Sequence, residues 1–218
     1  MPKTALLTRS YVGKKALMAA SGLVLLGFVV VHMLANLQMF AGAARIDGYA
    51  RSLRAVPLVL WSARVVLALA FLLHVVVGAQ LAAVKRAARP VPYRRRWQPG
   101  AGIAARSMLW TGGLLAAFLL IHLANLTWGA WHPRFLEGDV YGNVVRLFRR
   151  APAAVFYALA MVALGLHMAH GSFSLWQSLG LNGPTTSRGL RRGARILAVA
   201  VAGGLLSIVG ATALGWLR

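Results

Sequence analysis

Long apolar runs separated by short polar stretches order the chain from end to end. Five are long enough to matter, at about 16–41, 59–84, 104–130, 152–179 and 195–217. A bilayer core of about 30 Å takes about 20 helical residues to cross, and each run supplies that. The runs are continuous rather than alternating, so helices are the predicted spanning form. Basic residues or turn formers bound them: Pro57, Pro133, Pro152 and the Gly183-Pro184 pair. The pattern predicts an all-α, polytopic membrane protein, one transmembrane domain over 1–218 made of five spans.

Composition agrees with that class. Of 218 residues, 59% are hydrophobic and mean hydropathy is +0.68. There is no cysteine, which excludes disulfides, iron–sulfur ligation and thiolate zinc sites on this chain. A cleavable signal peptide is not expected, because the first run continues uncharged from Lys15 to Arg45, too long for a signal core.

Charge adds a direction. The formal net charge is +21, and only Asp47, Glu137 and Asp139 are acidic. The basic residues sit between apolar runs rather than on one basic surface, so no nucleic-acid partner is expected. They read instead as topology signals and as contacts for anionic lipid or a partner subunit. Fifteen fall on one side: Lys3, Arg9, Lys14 and Lys15, then the loop from Lys85 to Arg106, then Arg188, Arg191, Arg192 and Arg195. The other side has eight, together with all three acids. The positive-inside rule then puts the N-terminus in the cytoplasm and the C-terminus outside.

Against this apolar background, histidines are conspicuous. FVVVHMLANL at 28–37 and FLLIHLANL at 118–126 each set a histidine and an asparagine deep in a span. A polar side chain in hydrocarbon is costly unless it binds something. His32, His74, His122 and His167 lie one to a span in the first four spans, with His170 three residues beyond His167; His132 reads as a surface loop residue. At a rise of 1.5 Å per residue, His32 and His122 sit about 24–25 Å from the cytoplasmic flank, and His74 and His167 about 15–16 Å. Two histidines at equal depth on different helices suit the two axial positions of a haem iron, which leaves a one-electron carrier closed to oxygen. A lone membrane histidine is as readily a bond to a neighbouring helix; four in two depth-matched pairs favour the ligand reading. Gly78 and Gly171 stand four residues after His74 and His167, on the same helix face, where a missing side chain admits a flat ring. Gly22 and Gly112 precede the outer histidines by ten. Asn36 and Asn125 are placed to bond a haem edge or to cap a helix-end carbonyl. His170 is a candidate haem-edge or quinone contact, or the ligand in place of His167. Trp110, Trp128, Trp131, Trp176 and Trp216 read as interfacial anchors.

GKKALMAASGLVLLGFVVVHMLANLQMFAG, KRAARPVPY, HLANLTW and LGLHMAHGSFSLWQSLGLN together resemble the single-chain, five-helix, dihaem cytochrome b subunit of succinate:quinone oxidoreductases, a type shared with fumarate reductases. The resemblance spans roughly 10–185 and extends to the order and spacing of the histidines. It implies that His32 and His122 hold a distal haem b, and that His74 and His167 hold a proximal one. It favours His167 over His170 as ligand. It further implies a flavoprotein subunit with FAD and an iron–sulfur subunit as partners, a quinone (menaquinone) as acceptor, a place in a bacterial cytoplasmic membrane, and a higher oligomer of the whole complex. KRAARPVPYRRRWQPG is a candidate docking face for those partners or a lipid-facing basic loop.

The expected function is therefore that of a membrane anchor carrying electrons from the iron–sulfur partner through two b haems to the quinone, with no dicarboxylate chemistry on this chain. The alternatives are quinol:fumarate reduction by the same type of subunit, a dihaem cytochrome b of another dehydrogenase, and a transporter or scaffold whose histidines only pack. One departure stands out. Some relatives carry membrane glutamates for proton transfer, whereas no Asp or Glu lies in any of the five runs here and position 165 is glycine. Quinone protons would come from water, haem propionates, His170 or loop groups.

Overall fold

The computed structural model describes residues 10–88 and 102–218. Its long helices are α1 (Tyr11–Asn36), α3 (Pro57–Ala87), α5 (Met108–Leu126), α7 (Ala151–Ser178) and α8 (Ser187–Ala213). The shorter ones are α2 (Ala43–Arg54), α4 (Ile103–Arg106) and α6 (Val140–Phe148), with a 3₁₀ turn over Leu37–Ala41 after α1. No strand occurs among the described residues. Five helices are long and apolar enough to cross a membrane, which makes this a multi-pass membrane protein by length and composition.

Helix starts follow local chemistry. The Ser10 hydroxyl accepts from the Gly13 N–H at 2.9 Å and opens α1. Pro57 and Pro152 lie in the first turns of α3 and α7, where a missing N–H costs nothing. The fifth helix begins at Ser187, earlier than the apolar run suggests, because Arg188–Arg195 extend the helix beyond the apolar stretch. The third ends at Leu126, short of the expected 130, and Gly129 turns the chain away with φ +68°.

α7 and α8 pack most closely, through small residues. Ala160, Ala163, Ala194 and Ala198 are buried there, and a side chain on Gly165 would come within 3.2 Å of the Ala202 Cβ. In lipid, such small residues let backbones approach and gain dispersion contact. α1 lies against α3, α7 and α8, and α5 lies against α7. Met33, Met168, Ala198 and Val201 fill the seam where α1, α7 and α8 meet. α3 leaves Leu58, Val65, Leu69, Leu72 and Val76 exposed, an apolar face suited to lipid.

The connections after α1 and α5 are not simple loops. α2 and α6 pack together over one end of the bundle, joined where the Tyr141 N–H donates to the Asp47 carboxylate at 3.0 Å. Asp139 caps α6 through the Gly142 N–H and pairs with Arg146 at 2.7 Å. The Asn143 amide accepts from Leu136 N–H at 3.0 Å, donates to Leu136 C=O at 2.8 Å, and accepts from Arg146 at 2.7 Å. His132, read from sequence as a surface residue, is buried: its Nε2 bonds the Asn143 carbonyl at 2.9 Å, and its Nδ1 accepts from the Arg134 N–H. Its place in the polar lock of the cap, rather than loop membership, decides its burial.

Candidate functional site

His32 on α1 and His122 on α5 face each other, ring centroids 6.0 Å apart and planes inclined at 87°. His74 on α3 and His167 on α7 do the same at 6.3 Å and 62°. Both pairings are those expected from depth. Neither α1 with α5 nor α3 with α7 is among the closely packed helix pairs. The imidazoles therefore reach toward each other across the bundle.

The two pairs are braced differently. His32 stacks on Phe28 at 5.2 Å, and His122 lies against Phe118 at 5.5 Å, in each case the residue four earlier on the same helix face. Tyr157 adds a third ring beside His122 at 5.9 Å. The His74 Nδ1 stands 3.3 Å from the Ser21 hydroxyl of α1, and the His167 Nδ1 stands 3.2 Å from the Thr111 hydroxyl of α5. Gly22 and Gly112 make room for these rings: a Cβ on either would meet the histidine Cε1 at 3.3 and 3.4 Å. Gly22 and Gly112, set by the sequence beside the outer histidines His32 and His122, thus serve the inner pair instead, since each lies about three helical turns before the histidine of its own helix. The bracing hydroxyls carry a mark in the sequence: Ser21-Gly22 and Thr111-Gly112 each begin eleven residues before a span histidine, ninety positions apart, as the histidines themselves are.

Ser21 and His32 are eleven residues apart on α1, so the two pairs are separated by about 16 Å along the helix. Counting from the basic flanks suggests about 9 Å. α3 carries Lys85 further toward its end of the bundle than Lys15 stands on α1, so the flanks are not level.

The remaining candidates divide. A Cβ on Gly78 would meet the Met18 methyl at 3.4 Å, so this glycine serves the α1–α3 approach, whereas Gly171 faces open space. His170 is partly exposed on α7 and belongs to neither facing pair. The Asn36 side chain donates to the His32 carbonyl at 2.7 Å, the capping role. Asn125 is buried and lines a cavity of about 270 Å³ with Trp131, Leu147, Arg150, Pro152 and Ala153. All five span-end tryptophans are exposed, Trp110 at 83%, as anchors require. Most of KRAARPVPYRRRWQPG, from Arg89 on, lies outside the described residues, as do Lys3 and Arg9.

Two imidazoles bound to opposite sides of one metal have centroids about 6.3 Å apart, from metal–nitrogen bonds of about 2.0–2.1 Å and about 1.1 Å from nitrogen to ring centre. Both observed spacings meet that requirement. His122 Nδ1 is buried without a hydrogen-bond partner. No group of three or more His, Asp or Glu side chains suited to a bare ion stands together among the described residues. A porphyrin iron brings four nitrogens and needs two more, so the pairs fit haem.

No family model matches the chain, and neither a curated protein nor a solved structure does.

Proposed function

We propose that the chain is a dihaem cytochrome b, the membrane anchor of a succinate dehydrogenase, and that it carries electrons from an iron–sulfur partner to menaquinone. The observation that supports this most is the geometry of His32–His122 and His74–His167. Each pair spans two helices that do not otherwise pack closely, at the separation a shared iron requires. His32 and His122 would hold one haem b, His74 and His167 the other. A haem held there would supply one-electron transfer.

The chain's own contribution is orientation and insulation. Phe28 and Phe118 hold the first pair of rings, and Ser21 and Thr111 hold the second. The His74–His167 pair lies toward the basic end of the bundle, which we orient to the cytoplasm and to the iron–sulfur and FAD-bearing flavoprotein subunits. The cavity at Asn125 and Arg150 opens near the His32–His122 pair and is our placement for the quinone. The Asn125 amide and the Arg150 guanidinium line it as donors for quinone oxygens.

The test is haem b per polypeptide in detergent, for the wild type and for His32→Ala and His74→Ala. Two haems, with each substitution removing a different one, bear the reading out; a colourless protein overturns it in favour of a scaffold or transporter. Co-purification of a flavoprotein and an iron–sulfur protein with succinate-reducible haem identifies the dehydrogenase.

A further inference from the structure

We infer that Ser21 and Thr111 are positioning residues that set the tautomer and donor strength of His74 and His167, so that the two haem sites differ by design in their second layer of contacts. The inference rests on the haem reading above.

A hydroxyl has one proton to donate and two lone pairs to accept with. The Ser21 hydroxyl lies 2.8 Å from the Leu17 carbonyl and 3.2 Å from the Met18 carbonyl. The Thr111 hydroxyl lies 3.0 Å from the Ser107 carbonyl and 3.2 Å from the Met108 carbonyl. A carbonyl only accepts, so each hydroxyl can return its proton to the helix's own backbone, and a histidine that binds iron through Nε2 carries its proton on Nδ1. The oxygen then accepts from the histidine, and the hydrogen bond at 3.3 or 3.2 Å is Nδ1–H to oxygen. A neutral imidazole protonated at Nδ1 has its lone pair at Nε2, the form that binds a metal. An acceptor on Nδ1–H also pushes electron density onto the ring and strengthens it as a donor to iron.

The placement is what makes this a feature of the whole molecule. The hydroxyls are not on the helices of the histidines they serve. They sit on α1 and α5, eleven residues before His32 and His122. Each of these helices thus supplies an axial ligand to one site and the brace for the other. Burial protects the arrangement: Ser21 is 3% exposed and Thr111 is 6% exposed. The His32–His122 pair has no such brace on His122, whose Nδ1 is buried and unpartnered. Stronger donors favour ferric iron, so the hydroxyls hold the potential of the His74–His167 haem below the value it would otherwise have.

The experiment uses the full chain with haem bound. Midpoint potentials and low-temperature electron paramagnetic resonance are recorded for wild type, Thr111→Val, Thr111→Ser, Ser21→Ala and Ser21→Thr. The haem missing from His74→Ala identifies which signal belongs to the braced pair. Thr111→Val and Ser21→Ala are expected to raise that midpoint and move that signal, leaving the other haem where it was. Thr111→Ser and Ser21→Thr keep a hydroxyl and are expected to stay with wild type. Loss of that one haem from the hydroxyl-free variants, with retention in the hydroxyl-keeping ones, supports the inference equally. It is overturned if both haems are present and neither moves, if both move alike, or if the hydroxyl-keeping variants shift as far as the others. A wild type without two bis-imidazole haems overturns the functional reading first, and this inference with it.

Discussion

His32 and His122 stand with ring centres 6.0 Å apart although their helices, α1 and α5, do not pack closely along each other. Residues that serve one shared ligand act as a unit, and their substitutions do not add. His32→Ala, His122→Ala and the double variant are each expected to lose the same single haem, the double no worse than either single. Reduced-minus-oxidised spectra with haem extraction measure this. Additive loss, or loss of different haems, would break the pairing.

The two histidines of α7 make a sharper discrimination. His167 faces His74 and is braced by Thr111, whereas His170 belongs to neither facing pair. His170→Ala is expected to keep both haems, and His167→Ala to lose the one shared with His74. The reverse result would move the ligand three residues along the helix.

Gly22 gives a test that crosses helices. It sits on α1, the helix of His32, yet a Cβ there would meet the His74 ring at 3.3 Å. Gly22→Leu is expected to displace His74 and cost the His74–His167 haem while sparing the haem of His32 on its own helix. Gly112→Leu is expected to do the same through His167. Haem content and the identity of the surviving signal decide it. Loss of the His32–His122 haem instead would show that the glycine acts through its own helix.

Much of this arrangement was legible in the sequence because hydropathy and depth are one-dimensional quantities. Continuous apolar runs located the spans, and a count of residues from the basic flanks paired His32 with His122 and His74 with His167. What stayed hidden depends on rotation about helix axes and on offset between helices. Ser21 and Thr111 look like ordinary small polar residues until the approach of α1 to α3, and of α5 to α7, puts them against Nδ1. A count from the span flanks gives too short an axial gap between the pairs because residues such as Lys15 and Lys85 do not mark a common plane. The cap was missed for another reason: α2 and α6 are too short to register among membrane runs, and His132 gains its burial from Asn143, eleven residues away.

Asn143 is the hub of that cap. Its side chain pairs both backbone groups of Leu136 and also accepts from Arg146. Asn143→Ala leaves the Leu136 N–H without its partner and takes one of two partners from the Leu136 carbonyl and from Arg146, a loss of about 1–3 kcal/mol. Thermal unfolding in detergent, followed by tryptophan fluorescence, is expected to show a lowered midpoint with both haems still present at low temperature. An unchanged midpoint would mean that water replaces the amide at no cost.

Asp139 makes the cap sensitive to acid. Partial burial pushes its carboxyl up, but the hydrogen bonds from Arg146 and the Gly142 N–H and the charge of Arg146 outweigh this, so the group is held below its usual value. A carboxyl whose folded value lies below its unfolded one, about 3.9, stabilises the fold fully at pH well above that value. The contribution is lost as pH falls through the unfolded value toward the lower folded one. Asp139→Asn removes the titrating group, so wild type is expected to exceed the variant in thermal midpoint at neutral pH. The gap is expected to close as the pH is brought down through about 4. Melting curves for both proteins across that range measure it. A gap that stays constant with pH would show that the carboxylate charge contributes nothing, and that Asp139 acts only as a neutral cap on α6.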